Sequence, residues 1–228
     1  MKNFTIIALI LITIISCKEN PETQFDAKNQ GINTDLKEKL KHILLMDQGI
    51  RKLYLGDLSE REKNDLLIRM DLTEEYGQEA LIPLMKKIDS INLVKVENII
   101  DKFGYPGKSL VGEPANKTVF YVIQHSDKIE QYLPLIRKAA QNDDISMKKL
   151  AKMEDRYLME KGEEQIYGTQ IRGQKLENGE WVHFVWPIKN PDSVNIIREK
   201  IGLESIEEYA KGFGIDYEAL TLDDVKNL

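Results

Sequence analysis

Three groups of polar residues have types and spacings that could do chemistry. The first is Asp47 and Arg51, four positions apart in a segment that also carries Leu40, Leu44 and Tyr54. On a helix all five share one face, so the pair is either a buried ion bridge or the edge of a site. Burying one of the two charges alone would be costly, which favours the bridge. The second group is Gln124-His125-Ser126-Asp127. His125 could shuttle protons if Asp127 orients it. Equally, Asp127 or Ser126 could cap a following helix while His125 packs in the core. The third group is Glu154-Asp155-Arg156, followed by Gln165-Ile166-Tyr167-Gly168-Thr169-Gln170. Read as a strand, the later run puts Gln165, Tyr167 and Thr169 on one face and Ile166, Gly168 and Gln170 on the other. Amides, a phenol and a hydroxyl suit a neutral polar ligand or a buried polar network. Thr169 is a conceivable nucleophile, but nothing in the sequence activates it.

Other chemistries fail on spacing. Gly107-Lys108-Ser109 lacks the glycine five places before Gly107, where Lys102 stands, and a helix rather than a strand precedes it, so it is not a phosphate-binding loop. His42, His125 and His183 are far apart and no cysteine pair exists, which leaves no metal site and no cofactor to expect. No Gly-x-Ser-x-Gly elbow is present. Asn116-Lys117-Thr118 is a glycosylation sequon by pattern alone.

The remaining chemistry lies at Cys17, the single cysteine of the 228 residues. Lys2 precedes an uninterrupted apolar run from Phe4 to Ile15. That is the layout of an export signal, and it is shorter than the roughly 20 residues a transmembrane helix needs. The run ends in Ile14-Ile15-Ser16-Cys17, which resembles the bacterial lipobox. The resemblance implies diacylglycerol on the Cys17 sulfur, cleavage before it, and acylation, palmitate for example, of the new amino group. Two or three chains anchor stably where one is marginal. Lys18 rather than Asp follows Cys17, which by the same resemblance points to the outer membrane; neither face of it is specified.

Charge narrows the partners. Without residues 1–16 the chain keeps 38 acidic and 31 basic side chains, since only Lys2 is lost. This balance argues against a nucleic-acid surface and against a polybasic grip on anionic lipid. The lipid itself would be the membrane attachment.

The elements that must position these residues follow from periodicity. Residues 17–33 are polar and aperiodic and read as a tether. A single domain then fills 34–228. Leucine and isoleucine spacing predicts a helix over 34–55 capped by Thr34, and Ser59 with Glu62 opens a second one to about Tyr76. Segments 78–88, with Pro83 in the first turn, and 92–103 read as two further helices, the latter stopped by Gly104. Another starts at Glu113-Pro114-Ala115 and runs to about Ser126. The next, from Ile129, should kink or restart at Pro134, and Ser146 caps one that Gly162 ends. Runs 165–172 and 181–188, joined through Asn178-Gly179, read as a hairpin, and short helices follow over 193–201 and 205–211. The fold class is mainly α, a multi-helix domain with one β-hairpin packed on the helices.

Together, Gln124-His125-x-Asp127, Glu154-Asp155-Arg156 and Gln165-x-Tyr167-Gly168-Thr169-Gln170 resemble the signature of a bacterial domain family of unknown function. Asp47-Gln48-x-x-Arg51, Gly104-Tyr105-Pro106 and Val111-Gly112 fit the same likeness, which spans about residues 44–210. It implies a fold and shared polar positions, but no activity. Three readings follow. The domain is a membrane-tethered binding or interaction module for a small polar ligand, glycan or peptide, or an envelope hydrolase or transferase using His125 with Asp127 or Asp155 and holding an anionic or carbonyl group with Arg156, or a purely structural envelope protein. With no recognisable catalytic constellation, the first is favoured.

Overall fold

The computed structural model describes residues 31–72 and 76–227. The signal segment, Cys17 and all of the tether before residue 31 lie outside the described residues. The fold is mainly helical, with one antiparallel hairpin.

Helix α1 (Thr34–Leu55) is the axis of the domain. Its cap is Asn33 rather than Thr34: the Asn33 carboxamide oxygen accepts from the Leu36 N–H at 3.0 Å. The buried stripe Leu36, Leu40, Ile43, Asp47, Ile50 and Leu53 explains its length, because helices are held chiefly by such a packed face. Helix α2 (Glu60–Arg69) opens on the Ser59–Glu62 capping box but stops well short of Tyr76. Asp71 takes a left-handed conformation and the Leu72 N–H closes back on the Leu67 carbonyl, a stop formed without glycine.

Helix α3 (Gln78–Phe103) is continuous where two helices were expected, and Pro83 lies in its second turn. The polar stretch at its middle stays helical because α1 grips it. Arg51 holds Asp89, and the buried Asn92 carboxamide donates to the Ile43 carbonyl. Helix α4 (Lys108–Val111) and a 3₁₀ turn (Ala115–Lys117) lead into α5 (Thr118–Gln124). Helix α6 (Ile129–Gln141) runs through Pro134 without restarting; the break falls earlier, at residues 125–128. Helix α7 (Met147–Glu160) follows Ser146, whose hydroxyl makes no capping bond.

Strands β1 (Ile171–Lys175) and β2 (Trp181–Val185) pair with Gly173 opposite His183. Residues 165–170 are not part of β1; Gln165 forms a lone parallel bridge to Ile188, and the Gln170 carbonyl accepts from the Trp186 N–H just past β2. Helices α8 (Val194–Lys200), α9 (Ile206–Lys211) and α10 (Leu222–Lys226) complete the chain. One core joins α1, α3, α5, α6 and α7, and a second joins the end of α1 to α2 and the start of α3. One set of hairpin residues packs on α8 and α9, and Phe184 and Trp186 pack on Val225 of α10. No described helix is long and apolar enough to cross a membrane.

Candidate functional site

The polar residues singled out by sequence fall into two separate clusters. In the first, Asp47 is fully buried on α1, where its neighbours on the stripe are aliphatic. An apolar stripe would not bury a carboxylate there without partners. It has three. The Gln48 carboxamide donates to Oδ2 at 2.6 Å, Arg51 Nη1 lies 3.3 Å from Oδ1, and His125 Nδ1 lies 3.0 Å from the same oxygen. Arg51 Nη1 also donates to the Asp47 carbonyl at 2.7 Å, and Nη2 donates to both oxygens of Asp89 on α3 at 3.0 and 2.9 Å. The Asp47–Arg51 pair is therefore a bridge, and one extended to α3 and α5.

His125 reaches Asp47 because α5 ends at Gln124 and the chain turns there. The Ser126 hydroxyl donates to the Ile123 carbonyl and accepts from the Lys128 N–H. The turn is thus Ser126's work, and Asp127 stays exposed. His125 has its carboxylate partner 78 positions away rather than two. A neutral imidazole donating Nδ1–H to Asp47 keeps Nε2 as an acceptor, the arrangement that suits a general base. Burial pushes the Asp89 carboxyl above its ordinary range, against the pull of Arg51. Gln124, half-buried, contributes no bond to the cluster.

The second cluster centres on Asp155, fully buried on α7. Its Oδ1 accepts from the backbone N–H of Ile166 at 2.8 Å and Tyr167 at 3.0 Å. Its Oδ2 accepts from the Thr169 N–H at 2.9 Å and the Thr169 hydroxyl at 2.8 Å. These four donors explain why 165–170 is a loop and not a strand: its amides point inward to one carboxylate instead of sideways to a ladder. Burial still raises the Asp155 carboxyl, with the donors opposing it. Gly168 makes the wrap feasible. Its φ is +70°, and a Cβ there would meet Ile206 Cδ1 at 2.6 Å and Ile188 Cδ1 at 2.8 Å.

Gln165 and Arg198 close the loop from either side. Gln165 donates to the carbonyls of Gln170 and Trp186 and accepts from the Gln170 N–H. Arg198, fully buried on α8, donates to the carbonyls of Tyr167, Gly168 and Glu204. Tyr209 lies 5.0 Å from the Arg198 cation and donates its hydroxyl to the Thr169 carbonyl. Gln170 reaches Lys152 O and the Thr169 hydroxyl. Thr169 Oγ1 is thus bound on both sides, and Arg156 is not in the cluster at all; it pairs with Glu160 along the outside of α7. Glu154 instead accepts from Arg137 at 2.7 Å.

Sequence reasoning missed Asp89, Arg198 and Tyr209. Arg198 carried a readable signal, since it stands four residues after Val194 on the buried stripe of α8, as Asp47 does on α1. Asp89 carried none. At Gly107, the space beside the backbone is filled by the Asp144 carboxylate, so the chain's own acid occupies the Gly-Lys-Ser turn. Among the described residues no group of three or more His, Cys, Asp or Glu could hold a metal ion.

Residues 55–220 match a family of unknown function, DUF6624. The chain belongs to that family. The matched stretch contains the entire Asp155 cluster together with His125 and Asp89. It begins at the last residue of α1, so Asp47 and Arg51 precede it. No curated protein and no solved structure matches the chain.

Proposed function

We propose that this family member is a lipid-anchored binding module of the cell envelope, held at the outer membrane through Cys17, rather than an enzyme of the Asp155 motif. The observation that carries this reading is the saturation of Asp155: its two oxygens accept four hydrogen bonds from the 166–169 loop, which leaves the motif a scaffold that shapes the domain. The tether and lipid would then present that domain to ligands at the membrane surface, as the lipobox resemblance implies.

Two measurements test it. Metabolic labelling with an alkyne fatty acid should tag the wild type and fail on Cys17→Ser, which should also remain uncleaved; normal maturation of the variant defeats the anchor. For the motif, Thr169→Val should lower the melting temperature, having removed the hydroxyl donor to Asp155. A Thr169→Val protein that melts like the wild type but loses a measurable turnover would reverse the reading.

A second reading rests on the 3.0 Å His125–Asp47 contact, which orients an imidazole as a general base would need. In that case the hydrolase or transferase would work from His125 with Asp47, and His125→Gln would abolish turnover of an envelope substrate while leaving the fold intact.

A further inference from the structure

A groove of about 490 Å³ runs beside α1, opposite the end of α2 and the entry to α5. This is within the range of small-ligand sites, about 300–1,000 Å³. Its α1 wall is Lys41, Leu44, Leu45, Gln48 and Lys52. Those positions recur at helical spacing over three turns, so they form one face roughly 16 Å long. Leu66 and Arg69 of α2 face them, and Lys117 and Tyr121 close the far end.

The charge on this lining is of one sign. Four cations and, among the described residues, no carboxylate line it, although the chain carries 38 acidic side chains against 32 basic. The other concavities differ. The one between α1 and α3 mixes Asp35 and Glu38 with Lys39 and Lys95, and the one by α7 carries Glu163 and Glu164. Within the groove the cations are not equivalent. Lys41 is paired with Glu38 at 2.8 Å and Lys117 with Glu113 at 2.9 Å. Lys52, near the end of α1, and Arg69, at the end of α2, are exposed and form no ion pair among the described residues. Leu44, Leu45 and Leu66 give the groove an aliphatic floor.

An aliphatic floor and two cations without a carboxylate partner describe the complement of an anionic amphiphile. We propose that this groove binds a free single-chain anionic amphiphile, its alkyl chain along Leu44, Leu45 and Leu66 and its phosphate or carboxylate head on the unpaired cations Lys52 and Arg69. The inference rests on the binding-module reading and supplies its ligand class. Arg51, the adjacent cation, is unavailable because Asp47 and Asp89 hold it.

The test uses the full-length lipidated protein in phosphatidylcholine vesicles and a photoreactive dodecyl phosphate carrying a diazirine in its chain. Saturable labelling should map to residues 41–69. Lys52→Ser combined with Arg69→Ser should cut it at least tenfold with an unchanged melting temperature, and Lys95→Ser should leave it intact. Unlabelled dodecyl phosphate should compete; dodecyl maltoside and inorganic phosphate, each at the same concentration, should not. Equal competition by the maltoside or by inorganic phosphate overturns the proposal, as does unchanged labelling in the double variant. Competition only by added diacyl phosphatidylglycerol would make the occupant a bilayer lipid and overturn it too. Saturable labelling elsewhere on the domain defeats the groove but keeps the binding-module reading. Release of phosphate from the probe defeats the binding-module reading itself.

Discussion

The two buried aspartates invite comparison. Asp47 and Asp155 are each fully buried on a helix, Asp47 on an otherwise apolar stripe and Asp155 beside the buried Glu154. Asp155 is satisfied by backbone N–H groups and one hydroxyl from a segment a dozen residues on. Asp47 is satisfied by side chains of Gln48, Arg51 and His125, the last from the turn that ends α5. Backbone donors are fixed once the loop is folded, so the first arrangement is rigid and closed. Side-chain donors can rotate and reach water: the Arg51 and His125 side chains keep 21% and 15% of their surface exposed. The same device therefore builds a scaffold in one cluster and an adjustable polar junction of α1, α3 and α5 in the other.

The sharpest way to break this contrast is Asp155→Asn. The amide would turn an NH₂ toward N–H donors on at least one side. The expected loss is about 3 kcal/mol, the scale of an unsatisfied buried charged-group network. In a domain of this size that lowers the melting temperature by about 6–12 °C. Hydrogen exchange at Ile166, Tyr167 and Thr169 should accelerate selectively. A loss no larger than that of Asp47→Asn would show that the two clusters are alike.

Next in size is Gly168→Ala. A left-handed φ and two contacts under 3 Å to Ile188 and Ile206 both penalise a Cβ. The expected cost is about 2 kcal/mol, as for overpacking a tight site, read from urea midpoints. Arg51→Met should cost somewhat less, about 1–2 kcal/mol, because Asp47 retains His125 and Gln48 and because Asp89 can turn to water. Its signature is loosening of α3 near Asp89 with the 165–170 loop unaffected, which exchange mapping can separate.

These effects also mark what was legible in the sequence. Local signals held where the determining partner is near in sequence. The Ser59–Glu62 capping box, the stop at Gly104 and the Asn178-Gly179 hairpin turn all stand as expected. The mainly α class with one hairpin followed from them. Signals failed where the partner is distant or the competing donor is unforeseen. The run Gln165–Gln170 has strand-like alternation, yet its amides are claimed by Asp155, which no periodicity shows. The expected break between 88 and 92 is bridged by contacts from α1. Asp47–Arg51 was readable as a pair from spacing alone, whereas the addition of His125 and Asp89 needed the tertiary fold. Asp127 and Arg156, adjacent to motif residues in sequence, point away from both clusters.

The smallest effect is the one that best probes the junction, and it is a dependence on pH. Asp89 has its carboxyl raised above 3.8, first by burial, with Arg51 pulling the other way. A raised acid binds its proton more tightly folded than unfolded. Its contribution to stability is therefore fully present below the unfolded value and is lost as pH rises through the folded one. Asp89→Asn cannot titrate, so the difference between wild type and variant isolates this group. Wild type should gain on the variant as pH falls from 7 toward 4, by a modest shift in urea midpoint. A wild type that instead loses ground to the variant on acidification would mean that the bidentate Arg51 contact outweighs burial at Asp89. The junction would then be held by its ion pair, and its difference from the backbone-satisfied Asp155 would lie in the identity of the donors alone.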